Sequence, residues 1–332
     1  MLPRLLAALL LLAPFAPFTP FAAFGGEVPS GWERAWPNTD FSRITVDPAE
    51  ILSGGPPRDG IPAITGPEML LAAQEHRLDP REPVMVYEPP DTASGEPARA
   101  YPVRYLMWHE IVNDEVAGVP VAVTFCPLCN SGLVFDRRVD GEVLEFGVSG
   151  MLRHSDMIMY DRQTESWWQQ FTGEAIVGEL VGVALTPLPA LLESWQSFRA
   201  RHQEGMVMNQ PDGHRRAYGN NPYTGYDSGR PFLYRGEPPP HGIDPVARVV
   251  RVGDRAWPLE RLREAGEIVE AGYRLSWAEG QASALDTGNI GEGREVGDVR
   301  VVDAASGAPV VHEVFAFAFH AFEPDRAWML GE

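Results

Sequence analysis

The two cysteines of this 332-residue chain, Cys126 and Cys129, are its only ones and stand two residues apart in the segment Thr124 to Gly132. A pair at this spacing can close a redox disulfide, supply two thiolates to a metal, or clamp a loop. A structural zinc site needs four protein ligands, so two more donors must come from elsewhere. His109, in Trp108 to Asp114 just ahead of the strand that leads into the cysteines, is the expected third donor. Copper(I) is the other soft metal that thiolates favour, and Met151, Met157 and Met159 could offer it thioether sulfur; core filling is the plainer use of those methionines. Copper or zinc is therefore the expected cofactor. Thioredoxin-type chemistry wants the first cysteine at a helix N-terminus, whereas the chain after Cys129 reads as strand.

The stretch Phe146 to Arg162 is dense in polar groups. Ser149, Arg153, His154, Ser155, Asp156, Tyr160 and Asp161, with Gln169 beyond them, are the residues expected to line a pocket for a small molecule. Asp156 and Asp161 flank an apolar run, where either could act as general base or metal ligand. Local pairing of Arg153 with Asp156, or of Asp161 with Arg162, is the simpler reading. Ser149 is not a nucleophile elbow, because Met151 stands where the last glycine of G-x-S-x-G belongs.

The elements that must position these groups are short. Glu115 to Phe125 reads as the strand that delivers the cysteines, followed by strands at Leu133 to Val139, Val143 to Val148 and Met157 to Asp161. Asp140-Gly141 signals a hairpin. Helices are expected at Pro67 to His76 and at Pro189 to His202, the latter with Leu191, Leu192, Trp195 and Phe198 at helical spacing and Thr186 as a cap. Val311 to Phe322 reads as a buried strand. With 33 glycines and 31 prolines, turns are frequent. The expected class is α+β: mostly short antiparallel strands with a few short helices in one large domain. A weak repeat relates residues 99–125 to 255–279, through Arg99-Ala100-Tyr101-Pro102 and Arg255-Ala256-Trp257-Pro258.

The net charge of −19 argues against a nucleic-acid partner, which needs clustered cations, and leaves a small molecule or a metal ion as the expected ligand. Lysine is absent, which removes Schiff-base chemistry and a Walker-type phosphate loop. Residues 1–25 read as a signal peptide: one arginine, an apolar core and small residues before the break. An uncleaved anchor is the alternative, disfavoured by Pro14, Pro17 and Pro20. A periplasmic or extracellular setting follows. Residues 26–58 read as an extended N-terminal arm.

Four motifs in chain order, Trp108 to Asp114, Val123 to Gly132, Phe146 to Arg162 and Asn221-Pro222-Tyr223-Thr224-Gly225-Tyr226, resemble the DUF3179 family over residues 59–324. The chain departs from the family's usual text at Asn130, where a small residue is common, and at His154, where asparagine is; the second departure moves weight from His154 to His109. The resemblance implies an exported or membrane-associated domain and names no reaction. Three functions follow from the residues: a copper or zinc site on Cys126, Cys129 and His109; a thiol–disulfide oxidoreductase on the same cysteines; or a non-catalytic module binding a small ligand, its cysteines a static disulfide.

Overall fold

Two-residue turns with both residues left-handed set the architecture. Ala117-Gly118, Asp140-Gly141, His154-Ser155 and Ala271-Gly272 all have positive φ, and each joins two antiparallel strands. Such turns match the right-handed twist of the strands they connect, so the chain folds into hairpins as it goes. The computed structural model describes residues 26–89, 95–306 and 312–331; the leader expected at residues 1–25 lies outside them.

The hairpins assemble into small antiparallel sheets arranged as a five-bladed β-propeller, with 37% of residues in strands and 17% in helices. This corrects the expected α+β class. The α-helices among the described residues are six or seven residues long. That is too short to form a layer of their own, and they serve as connections between strands. None of them is long and apolar enough to cross a membrane.

Three expected elements differ for identifiable reasons. Pro189 to His202 is not one helix: Ala190–Ser194 is a strand on Pro83–Tyr87, and the helix covers only Trp195–Arg201. Pro187 and Pro189 push the residues before them into extended backbone. Ser194, not Thr186, is the cap, its side chain accepting from Ser197 N. Thr186 lies in a strand on the edge of Ser131–Asp136. Val311 to Phe322 splits into strand His312–Phe315 and helix Ala316–Phe322. Ala316, Phe317, Ala318 and Phe319 are all fully buried, and a segment buried on every side carries no period to read. Pro67 to His76 holds a strand, Met69–Leu71, and a single 3-10 turn.

The N-terminal stretch is packed rather than free. Ile51–Ser53 pairs with Met151–Arg153, and Trp36, Phe41 and Ile44 bury themselves against Trp167 and Tyr160. The two repeat stretches follow one element order. Strand Arg99–Pro102, helix Val103–His109 and a hairpin turning at Ala117-Gly118 answer to strand Arg255–Pro258, helix Leu259–Ala265 and a hairpin turning at Ala271-Gly272.

One glycine is fixed by close approach. The hairpin Phe146–Arg153/Asp156–Asp161 is bulged between Val148 and Met151, and Gly150 sits there at φ +79° with the carbonyl oxygen of Pro56 only 2.1 Å from where a Cβ would lie. Gly150→Ala is expected to cost about 2–3 kcal/mol, combining a clash with left-handed strain. Gly141→Ala, at φ +89° with open space around it, should cost about 1 kcal/mol. Urea unfolding of both variants checks the difference; equal losses would remove the role of the Pro56 contact.

Candidate functional site

The cysteines sit on a tight connection between two paired strands. Val119–Cys126 and Ser131–Asp136 are antiparallel with Cys126 opposite Ser131, and the four residues between turn through Cys129 N to Cys126 O and Asn130 N to Pro127 O, each 3.2 Å. Asn130 closes the turn at φ 48°, a conformation asparagine tolerates better than most residues. Its amide donates to Glu313 (3.2 Å), and the carbonyl of Cys129 accepts from Phe315 N (2.9 Å). The turn is thus tied to another blade at both its side chain and its backbone. Cys126 and Cys129 are buried and not joined in a disulfide.

A second hairpin brings a carboxylate to them. Asp156 opens the strand Asp156–Asp161 just after the His154-Ser155 turn, and Cys126 Sγ donates to the carbonyl of Ser155 at 3.8 Å. The two sulfurs and a carboxylate oxygen of Asp156 lie within 4.8 Å of one another, all three residues buried. Asp156 Oδ2 accepts from Gln169 Nε2 (2.6 Å) and Phe171 N (2.9 Å), while Oδ1 has no hydrogen-bond partner. Gln169 Oε1, Gln170 Oε1 and Ser131 Oγ are likewise buried without partners. Gln170 itself donates to Thr124 Oγ1 and Ser131 O.

The other expected site residues lie elsewhere. His109 is fully buried but outside this cluster. Its Nδ1–H donates to Pro62 O (2.7 Å) and its Nε2 accepts from the Tyr218 hydroxyl (2.6 Å), and burial lowers its pKa to about 4, so it is a neutral imidazole with both nitrogens engaged. His154 stands beside Glu50 (3.6 Å) and Phe322, and Arg153 donates to the same Glu50 (2.7 Å). Ser149 bonds to Ile158 O within its own hairpin. Tyr160 donates to Asp59 (2.6 Å), and Asp161 accepts from Thr164 N and Trp168 Nε1. Ser155 Oγ donates to the carbonyl of Phe232. Asp156 and the backbone of Ser155 are therefore what the expected pocket group brings to the cysteines, with Gln169 bonded to Asp156 behind them.

Beside the cluster opens a cleft of about 680 Å³, whose lining includes Glu110, Leu128, Tyr223 and Tyr226. Leu128 directly precedes Cys129 in the turn. Glu110 was not singled out by the sequence reading, yet it is the most unusual residue here. Its backbone ends the helix Val103–His109 at φ 58°, ψ −33°, and its carboxyl makes no hydrogen bond or ion pair with the described residues. The repeat carries the missed signal: the matching helix ends in Gly266 at φ 70°, ψ −43°. Both positions make the same bonds, Glu110 N to Leu106 O and Phe125 N to Glu110 O against Gly266 N to Leu262 O and Trp277 N to Gly266 O. The backbone there suits glycine, and the copy beside the cysteines carries glutamate instead.

Burial pushes the Glu110 carboxyl up to about 8, with nearby Asp156 adding to the shift. Burial likewise pushes Asp156 up to about 7, against the hydrogen bonds from Gln169 and Phe171 and the proximity of the thiols. The same dry surroundings raise both thiols. A raised carboxyl pKa means that the fold holds protons the unfolded chain has already released, so stability from these groups is fully present below the ordinary carboxyl range of about 4, falls as pH rises above it, and is lost once pH passes about 8. His109, whose pKa burial depresses, works the other way only below about pH 7, and a change at Glu110 leaves that contribution in place. The metal-free protein should lose melting temperature between about pH 5 and 8, and Glu110→Gln should flatten the slope. A flat wild-type profile, or one unchanged by the substitution, would show that the carboxyl is not held protonated.

No curated protein and no solved structure matches the chain. The family model for DUF3179, described as a protein of unknown function, matches residues 58–326, and with it the cysteine turn, the Asp156 hairpin, Glu110 and the Asn221–Tyr226 loop. The chain belongs to the DUF3179 family.

Proposed function

We propose that the chain is a metal-binding protein whose centre is Cys126, Cys129 and Asp156, with zinc as the ion. One observation carries this: two sulfurs and a carboxylate oxygen from two separate hairpins converge within 4.8 Å in a space where Asp156 Oδ1 has no partner. Buried polar atoms are normally satisfied, and a cation held by all three residues would satisfy this one. Two thiolates and a carboxylate suit zinc, which accepts both donor types, better than copper(I), which favours sulfur throughout. Three protein ligands leave the fourth zinc position for water or a ligand from the cleft, the pattern of reactive rather than purely structural zinc. Asp156 takes the place that the sequence suggested for His109.

Two further points support a metal over a dithiol enzyme. Thiol–disulfide exchange needs an accessible thiolate, and both thiols here are buried with raised pKa values. A bound cation reverses that shift, since coordination deprotonates thiols outright. On this reading the apolar leader places the site outside the cytoplasmic membrane. There an unliganded pair would be open to oxidation, which metal coordination would resist.

Elemental mass spectrometry of protein purified without chelator tests this. About one zinc per chain is expected, and Cys126→Ser, Cys129→Ser and Asp156→Asn should each lower it at least about tenfold. His109→Gln should leave the zinc in place. Zinc that survives Asp156→Asn would remove the carboxylate from the site. A metal-free protein with both thiols oxidised would sink the metal reading altogether.

A further inference from the structure

The cleft beside the cysteines has a chemistry of its own. Its volume, about 680 Å³, is that of a pocket for a small organic molecule. Much of its wall is aromatic and aliphatic: Tyr223, Tyr226, Phe232 and Leu233 line it. Two ionisable groups complete the lining. Arg230 is exposed at the rim and makes no hydrogen bond or ion pair with the described residues. Glu110, only 8% exposed, lies deeper and is equally without partners. Other exposed arginines, such as Arg215 and Arg235, are unpaired as well; Arg230 is the arginine that lines the cleft, and its charge is therefore open to a ligand held there.

The rim is also held in place. The backbone of Phe232 is bonded on both sides: its N–H donates to the Tyr226 hydroxyl (3.0 Å), and its carbonyl accepts from Ser155 Oγ. Phe232 nevertheless leaves 46% of its surface exposed. A large apolar ring that is fixed by its backbone, uncovered, and next to an unpaired cation is a preformed half of a binding site. Preformed sites lose little entropy on binding.

We propose that this cleft binds a small organic anion with a flat apolar or aromatic body, its acidic group paired with Arg230 and its body between Phe232 and the tyrosines of the Asn221–Tyr226 loop. Bidentate pairing of guanidinium with carboxylate sets the orientation, and aromatic packing supplies the rest. Glu110 does not oppose an anion, since burial keeps its carboxyl protonated near neutral pH; it presents a neutral hydrogen-bonding group to the ligand's inner end. The ligand enters next to the thiol cluster, but its binding does not depend on a metal being there.

Isothermal titration of the full chain with 2-naphthoate and with its uncharged counterpart 2-naphthamide tests this. The carboxylate should bind at one site and at least about tenfold tighter than the amide, the factor expected of one well-formed charged pair. Arg230→Gln, at an exposed position with no internal bonds to lose, should abolish that difference and leave the amide's affinity unchanged. Phe232→Ala should weaken both compounds about three- to tenfold. Equal affinity for the acid and the amide, no binding of naphthoate at millimolar concentration, or naphthoate binding untouched by Arg230→Gln would each overturn the proposal. Zinc measured on the same samples separates the two readings: retained zinc with no naphthoate binding sinks the cleft alone.

Discussion

Two thiols and the Asp156 carboxyl share one dry space, with Glu110 near them on the wall of the cleft, and no arginine or histidine among the described residues bonds to any of the four. That constraint governs the centre of this protein. In a low-dielectric interior a second negative charge a few ångströms from the first is prohibitive. Beyond burial, Asp156 raises Glu110, both carboxyls raise the Cys126 thiol, and Asp156 raises that of Cys129. The groups therefore stay protonated together, and ionising any one of them makes the next harder. Only a cation inverts the order: with a divalent ion among them, thiols and carboxylate are stabilised as anions and release their protons on binding.

The contrast with the rest of the molecule sharpens this. Other buried carboxylates have been answered within the chain. Glu82 pairs with Arg104, Glu193 with Arg201 and Arg300, and Glu313 with Arg248. Asp227 meets Arg294 and the Ser283 hydroxyl, and Asp161 and Asp298 are satisfied by hydrogen bonds from Thr164, Trp168, Ser194 and Ser197. The Arg248 group also frames the site, because Glu313 receives the Asn130 amide from the cysteine turn while Asp227 directly follows the Asn221–Tyr226 loop. Breaking a buried pair leaves an uncompensated charge, so this network holds the turn and the loop in one arrangement. A rigid surround is what keeps donor atoms at fixed separation before an ion arrives.

Much of the site was legible in the sequence, and the failures have physical causes. The C-x-x-C spacing marks the centre because two cysteines in a turn have few uses, and Asp156 stood among the polar residues of its hairpin. Its selection over Asp161 could not be read, because both flank the same strand and only the fold decides which end meets the turn. His109 misled: a histidine ten residues before the strand Val119–Cys126 is near in sequence, but the helix that carries it directs the ring to Pro62 and Tyr218. The two-residue turns were legible where glycine marks them, as at Asp140-Gly141, and less so at His154-Ser155. The α+β expectation failed because short buried helices such as Ala316–Phe322 and short buried strands share one composition, and because closure of blades into a propeller rests on contacts far apart in the chain.

The comparison of Glu110 with Gly266 argues for function more strongly than burial does. Both residues end a seven-residue helix in the same left-handed conformation with the same two backbone bonds. Glycine adopts that conformation without strain, whereas a glutamate pays about 1 kcal/mol or more for it. The glutamate here adds a second cost by burying a carboxyl without a partner. Two independent penalties at one residue, in the copy that holds the cysteines and not in the copy that lacks them, are hard to explain by packing, since glycine demonstrably serves the backbone. They are what a group kept for chemistry looks like: a proton-holding carboxyl fixed between a thiol cluster and the cleft through which a ligand would reach it.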